Sequence, residues 1–146
     1  MMYWPHVLAV LVGVALTVQI GMNATLRFGL GSPILATIVN FAVGLAALVA
    51  VAIASGARVN AGATSSVPAW AWLGGLLGAT YVASTTVLGP RLGAAALLAL
   101  TLAGQMIAAL AVDQYGVLGF PQSPITPARL AGAVLLVVGA LLVIRR

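Results

Sequence analysis

The sequence predicts an all-α protein that crosses a membrane several times. Three observations predict this fold class: 63% of the 146 residues are apolar, only 5% are charged, and Asp113 is the single acidic residue. A water-soluble surface needs roughly a quarter to a third of its positions charged. A chain with so few charges is suited to lipid, where backbone polar groups must be satisfied within helices.

Five apolar segments, each long enough to cross a hydrocarbon core of about 30 Å, follow one another along the chain. Ser32 before Pro33 and Thr126 before Pro127 are helix-start signals, and Pro90 predicts a break. The predicted helices cover residues 4–23, 33–54, 68–88, 92–112 and 127–144. We therefore expect a single five-helix transmembrane domain over residues 1–146, with no room for a soluble catalytic domain.

The six arginines give a small difference between the two membrane faces. Five spans place the termini on opposite faces, and basic residues are more frequent in cytoplasmic loops. Four arginines share the face of the C-terminus and two share that of the N-terminus: Arg27, Arg91, Arg145 and Arg146 against Arg58 and Arg129. The balance favours a cytoplasmic C-terminus and leaves insertion in both orientations open. No basic cluster is larger than Arg145–Arg146, which argues against a nucleic-acid partner.

Polar side chains recur on one stripe of the first helix. Gln19, Asn23 and Arg27 are spaced at i, i+4 and i+8, so they share a helix face. One interpretation is structural: two amides that bond between helices, and an arginine that anchors the helix end. The other is functional: a polar stripe that lines a solute cavity.

Other polar residues extend the same functional interpretation to the second, third and fourth helices. The residues predicted to complete a substrate-binding lining are Asn40, Tyr81, Thr85 and Gln105. The fifth helix has no polar side chain from Ala131 to Ile144. Its glycines, Gly132 and Gly139, lie a heptad apart and predict close packing at a dimer interface.

Several chemistries lack the residues they need. His6 is the only histidine and there is no cysteine, so neither a metal site nor a catalytic triad is expected. No phosphate-binding loop is present. We expect no enzyme activity, no cofactor and no metal.

Asp113 has two open interpretations. It is either a helix-end carboxylate paired with an arginine such as Arg129, or a group that couples transport to protons. Since the spans contain no other carboxylate to neutralise a cation, while Arg27 can pair with an anion, a neutral or anionic solute is expected.

The order and spacing of several motifs resemble the YdcZ-type family of the drug/metabolite transporter superfamily. The motifs are Gln19-x-x-x-Asn23-x-x-Leu26, Gly31-Ser32-Pro33, Asn40-Phe41-x-x-Gly44, Trp70-x-Trp72-Leu73-Gly74-Gly75, Pro90-Arg91-Leu92-Gly93, Gly104-Gln105, Asp113-Gln114-Tyr115-Gly116 and Arg129-Leu130-x-Gly132. They span nearly the whole chain.

The resemblance implies a five-helix half of the ten-helix transporters, which contain two inverted repeats. It implies a multi-pass protein of the bacterial inner (plasma) membrane. A second copy inserted upside down, or a paralogous five-helix partner, would complete an antiparallel dimer with dual topology that moves a small solute by alternating access. The small multidrug exporters, which are relatives, bind cations through a first-helix glutamate, which this chain lacks. A passive channel and a non-transporting subunit of a hetero-oligomer remain alternatives.

Overall fold

A computed structural model describes residues 3–58, 62 and 67–145, and within these residues the fold is all-helical. The five long helices are α1 (Trp4–Leu30), α2 (Pro33–Ser55), α3 (Gly74–Leu92), α4 (Ala94–Tyr115) and α5 (Pro127–Ile144). A short 3-10 helix, Ala69–Leu73, leads directly into α3. In this part of the chain all five are long and apolar enough to span a membrane, α3 together with its 3-10 turn. The predicted fold class is confirmed.

Helix starts and ends follow the local sequence signals. The hydroxyl of Ser32 accepts from the backbone N–H of Leu35 at the start of α2, and that of Thr126 accepts from Arg129 N–H at the start of α5. In both helices a proline occupies the first turn, where no N–H donor is needed. Gly31 ends α1 with a φ of 66°, a left-handed conformation that glycine adopts without strain.

Three predicted boundaries are wrong. The first helix does not end at Asn23 but continues to Leu30, so Arg27 is helical. The fourth helix continues past residue 112 to Tyr115, which places Asp113 in its last turn. The third helix does not break at Pro90 but includes it and ends at Leu92. Proline is tolerated inside membrane helices where another group satisfies the freed carbonyl.

The chain forms two compact units, one ending at Arg91 and the other beginning at Leu92. In the first unit α1 and α2 pack closely as a hairpin. The helix α3 approaches them through side chains: a Cβ at Gly78 would lie 3.9 Å from Cζ of Phe41. In the second unit α4 and α5 pack closely as another hairpin.

The interiors of the two units differ in polarity. In the first unit, the buried residues are Ile20, Asn23, Ala36, Thr37, Val82, Thr85, Thr86 and Gly89. In the second unit, the described buried residues are all apolar: Leu97, Ala103, Leu110, Ala133 and Ala140. Every buried polar side chain among the described residues therefore belongs to the first unit.

Candidate functional site

The polar stripe of α1 is long enough to extend from the middle of a bilayer to its boundary. The helix has 27 residues, centred on Thr17. With α1 centred and upright, a rise of about 1.5 Å per residue puts Gln19 about 3 Å from the midplane, Asn23 about 9 Å and Arg27 about 15 Å. The last value equals half of a hydrocarbon core about 30 Å thick. In that placement the three polar side chains extend from one surface towards the bilayer centre.

The deepest member of the stripe is joined to α2. The side-chain Nε2 of Gln19 donates to Oδ1 of Asn40 over 3.3 Å. Both side chains are half-buried. An amide pair between helices satisfies part of each group in lipid and ties the hairpin together. This contact brings together two of the residues that the sequence grouped as a lining.

Asn23, the middle residue of the stripe, differs from Gln19 and Arg27 in its hydrogen bonding. Its side chain is 3% exposed, yet its amide makes no hydrogen bond to any described residue. Among the described residues no buried side-chain nitrogen or oxygen lacks a hydrogen-bond partner, so the unpaired amide atoms of Asn23 still reach the surface of the fold. The amide has two donors and one acceptor oxygen that are available to a bound molecule.

Arg27 connects α1 to α3. Its Nη1 donates to the main-chain carbonyls of Thr86 and Val87, each over 3.2 Å. Thr86 lies four residues before Pro90, and proline has no N–H to donate to that carbonyl. The guanidinium therefore supplies the hydrogen bond that Pro90 cannot. The guanidinium carbon, Cζ of Arg27, also lies over the ring of Phe28, 5.9 Å from the ring centroid.

The remaining predicted lining residues lie in different settings. Thr85 is buried in α3, and its hydroxyl donates to the carbonyl of Val82 in its own helix. Tyr81 is half-buried in α3 and makes no hydrogen bond within the described residues. Gln105 lies on α4 in the second unit, where its side chain is exposed, and its part in a lining stays a prediction.

Asp113 forms an ion pair with Arg129 across the loop between α4 and α5. This is the pairing that the structural interpretation of the sequence predicted. Arg129 Nη1 also donates to the carbonyl of Ser123 over 2.8 Å, and the N–H of Ser123 donates to the carbonyl of Asp113 over 2.7 Å. The pair ties the loop to both helix ends. Whether Asp113 also couples transport to protons stays a prediction.

Two recesses on the surface are apolar and do not suit a polar solute. One, of about 490 Å³, lies between α4 and α5, and its lining includes Ile107, Leu130 and Val134. The other, of about 360 Å³, lies in the first unit against α3 near Ala83 and Val87. The candidate site is therefore the polar stripe rather than either recess.

The predicted interface glycines of α5 face open space. A Cβ added at Gly132 or Gly139 would meet no atom within 4 Å. The neighbouring Ala133 and Ala140 are buried instead. A second chain could approach the backbone closely at these glycines, but their role in a dimer stays a prediction.

These features define a multi-pass membrane protein with a polar stripe in its first unit. Residues 4–142 match the family DMT_YdcZ, described as "Putative inner membrane exporter, YdcZ", and the chain belongs to this family. The family description and the five apolar helices support a membrane transporter of the inner membrane. Comparison with curated proteins found no match, and comparison with solved structures found none either.

The sequence interpretation missed the partner of Arg27. It treated Pro90 as a break between helices, and it did not consider the main-chain carbonyls of Thr86 and Val87. The available signal was the position of Pro90 four residues after Thr86, inside an otherwise apolar stretch. A proline there frees one carbonyl at membrane depth, and a long cationic side chain is a suitable donor.

Proposed function

We propose that the chain carries a small polar solute, neutral or anionic, by alternating access, and that it does so as an antiparallel dimer. The observation that carries this proposal is Asn23, whose residue is 3% exposed and whose amide reaches the surface of the fold without a hydrogen-bond partner among the described residues. It lies between Gln19 and Arg27 on a stripe that runs from the bilayer boundary inward. A polar group left open at that depth is suited to a passing solute.

The charge of the site favours the proposed solute class. Asp113 is the only acidic side chain of the chain and is engaged by Arg129 in the second unit. The first unit therefore offers amides and a guanidinium but no carboxylate. Amides bind neutral hydroxyl and carbonyl groups, and a guanidinium binds anions. A bare cation would find no opposite charge there.

The dimer part of the proposal rests on the family architecture and on α5. Transporters with inverted repeats place the solute site between two oppositely oriented halves. In such an architecture a second five-span chain would supply the other half. The open glycine face of α5, at Gly132 and Gly139, is a surface on which a second helix could pack.

Solute counterflow in proteoliposomes tests the carrier. Liposomes loaded with one unlabelled solute are diluted into the labelled form, using a polyol, benzoate, inorganic phosphate and a quaternary ammonium ion. We expect transient accumulation of a neutral or anionic member that Asn23→Leu abolishes. Thr25→Val is the matched control, because Thr25 is exposed on α1 and its hydroxyl donates to Gly21 in its own helix. Saturation-free conductance would indicate a channel, and accumulation of only the cation would refute the proposal.

Orientation is tested with one introduced cysteine, since the chain has none. Ile144→Cys near the C-terminus is labelled with an impermeant maleimide in intact cells and again after permeabilisation. Antiparallel self-pairing predicts that about half of the sites react in intact cells. Labelling from one side only would contradict self-pairing and indicate a paralogous partner.

A further inference from the structure

The end of α3 depends on a hydrogen bond from another helix. Pro90 lies inside α3, so the carbonyl of Thr86 lacks its usual donor four residues ahead. Thr86 is fully buried, at 0% exposure, so water cannot readily take that place. The Nη1 of Arg27 does, and it shares the bond with the carbonyl of Val87.

Arg27 is only partly used by this contact. A guanidinium carries five N–H donors, and in the described residues only those on Nη1 have acceptors. Nη2 and Nε remain open, and Arg27 is half-buried. No acidic side chain neutralises it, because the single one is paired with Arg129. Arg27 is thus a cation whose hydrogen bonds go to two uncharged main-chain carbonyl groups.

An oxyanion is a stronger partner for this group than two carbonyls. Bonds between a guanidinium and a carboxylate or phosphate are charge-assisted, often two-pronged, and about twice as strong as those to neutral groups. The open amide of Asn23 lies one helical turn deeper on the same face and can donate to the same ligand. The stripe therefore offers hydrogen-bond donors to an anion. It contains no carboxylate that would compete with the anion for Arg27.

We propose that Arg27 binds the carboxylate or phosphate group of the transported solute, and that it releases the carbonyls of Thr86 and Val87 when it does so. This deepens the proposed function and rests on it. In the empty site Arg27 fastens α3 to α1. With an anion bound, the end of α3 around Pro90 loses its external donor. Because α3 approaches α1 and α2 through side chains, this release frees α3 to move.

The variant Pro90→Ala separates this mechanism from a simple anchor. Alanine restores an N–H to the carbonyl of Thr86, so Arg27 is no longer needed there. In the parent protein we expect Arg27→Gln to lower the thermal midpoint by about 5 °C. In the Pro90→Ala background the same change should lower it by less than half as much. Equal losses in both backgrounds would overturn the link between Arg27 and Pro90.

Anion binding to the purified full chain is measured by calorimetry in phosphatidylcholine nanodiscs, with benzoate and inorganic phosphate as probes. We expect binding to the parent, affinity about tenfold tighter in Pro90→Ala, where Arg27 need not leave its carbonyls, and no binding in Arg27→Gln. Arg27→Lys keeps the positive charge but loses the paired N–H donors of the guanidinium, so we expect it to bind both anions more weakly than the parent does. Arg91→Gln, which removes an exposed arginine of the same helix end, is the matched control and should bind as the parent does.

A lipid headgroup offers the same oxyanion at this depth, and the lipid composition distinguishes the two sources. Adding phosphatidylglycerol should leave benzoate affinity within about twofold if the site takes a solute. Arg27-dependent competition by that lipid, with no binding of either soluble anion, would assign the site to lipid and overturn the solute claim. The calorimetric binding experiment and the thermal-unfolding comparison of Arg27 and Pro90 variants do not depend on transport. If both give the expected results but no solute shows counterflow, the proposed carrier function is refuted and this inference is not. Counterflow of a polyol without anion binding would refute this inference alone.

Discussion

Arg27 in the first unit and Arg129 in the second both donate to main-chain carbonyl groups, but only Arg129 also pairs with a carboxylate. Around Arg129, the loop carbonyls and Asp113 use the donors on both terminal nitrogens. Around Arg27, described acceptors contact Nη1 alone. The comparison separates an arginine whose charge is neutralised within the fold from one whose charge is not.

The two arginines also differ in the polarity of the buried side chains around them. All buried polar side chains among the described residues lie in the first unit, with Arg27. In its described residues the second unit buries only apolar side chains, and its side-chain hydrogen bonds lie at the helix ends and in the loop except for that of Thr101 to the carbonyl of Leu98 within α4. In lipid, polar groups inside the spans are retained mainly where they perform a function. We infer that the first unit holds the solute and that the second supports the structure.

The largest expected effect is on transport by the first arginine. We expect Arg27→Gln to lower the counterflow rate of an anionic solute by at least about tenfold, since a charge-assisted bond contributes about 1.5–3 kcal/mol. Arg129→Gln, the matched change in the second unit, should keep more than about half of the parent rate in the same membranes. Rates are compared per correctly folded protein, judged by gel filtration. Equal losses in the two variants would break the distinction between the units.

The second expected effect is on stability and concerns the ion pair. Asp113→Asn removes a partner of Arg129 at a partly exposed position, so we expect a loss of about 1–2 kcal/mol in the free energy of unfolding. Arg129→Gln should lose a similar amount, because the loop carbonyls also lose their donor. Thermal unfolding in detergent measures both. The same Asp113→Asn protein tests proton coupling: if a pH gradient no longer drives uptake while counterflow persists, Asp113 has the coupling role.

The third expected effect has opposite signs for stability and activity. Asn23→Leu replaces an amide that has no hydrogen-bond partner among the described residues with an apolar side chain of similar size, which is better suited to lipid. We expect the free energy of unfolding to rise by about 1 kcal/mol while counterflow is lost, the trade-off typical of functional sites. Thermal unfolding and counterflow on one preparation check both signs. A loss of stability would mean that Asn23 serves the structure and would weaken its assignment to the solute site.

The smallest expected effect is the coupling between Gln19 and Asn40. Interhelical side-chain hydrogen bonds in membranes average about 0.6 kcal/mol in double-mutant cycles. We expect a coupling of this size from Gln19→Leu, Asn40→Leu and the double variant. A coupling near zero would release both amides for the solute and would enlarge the candidate site.

Much of the fold could be predicted from the sequence because lipid imposes a strong constraint. Long apolar segments without charges leave few alternatives to helices, and the caps at Ser32 and Thr126 were readable from the residue types. The ends of the first and fourth helices were not, since α1 and α4 each continue beyond the apolar stretch. A helix that passes the hydrocarbon boundary no longer needs apolar residues, so hydropathy does not mark its end.

The candidate site was only partly predictable. The spacing of Gln19, Asn23 and Arg27 gave the stripe, and the pairing of Asp113 with Arg129 followed from the presence of a single acid beside a nearby arginine. The contact between Arg27 and α3 did not follow, because its acceptors are main-chain carbonyls that are the same in every residue. Only the geometry of α3 at Pro90 distinguishes them.

The most direct measurement is photo-crosslinking of the full chain in proteoliposomes with a photoreactive benzoate, followed by peptide mapping with and without excess unlabelled benzoate. We predict displaceable labelling in the first unit, in α1 around Asn23 and Arg27 and in the end of α3, and its loss in Arg27→Gln. Displaceable labelling confined to α4 and α5, or labelling that excess benzoate leaves unchanged, would contradict the assignment of the solute site to the first unit.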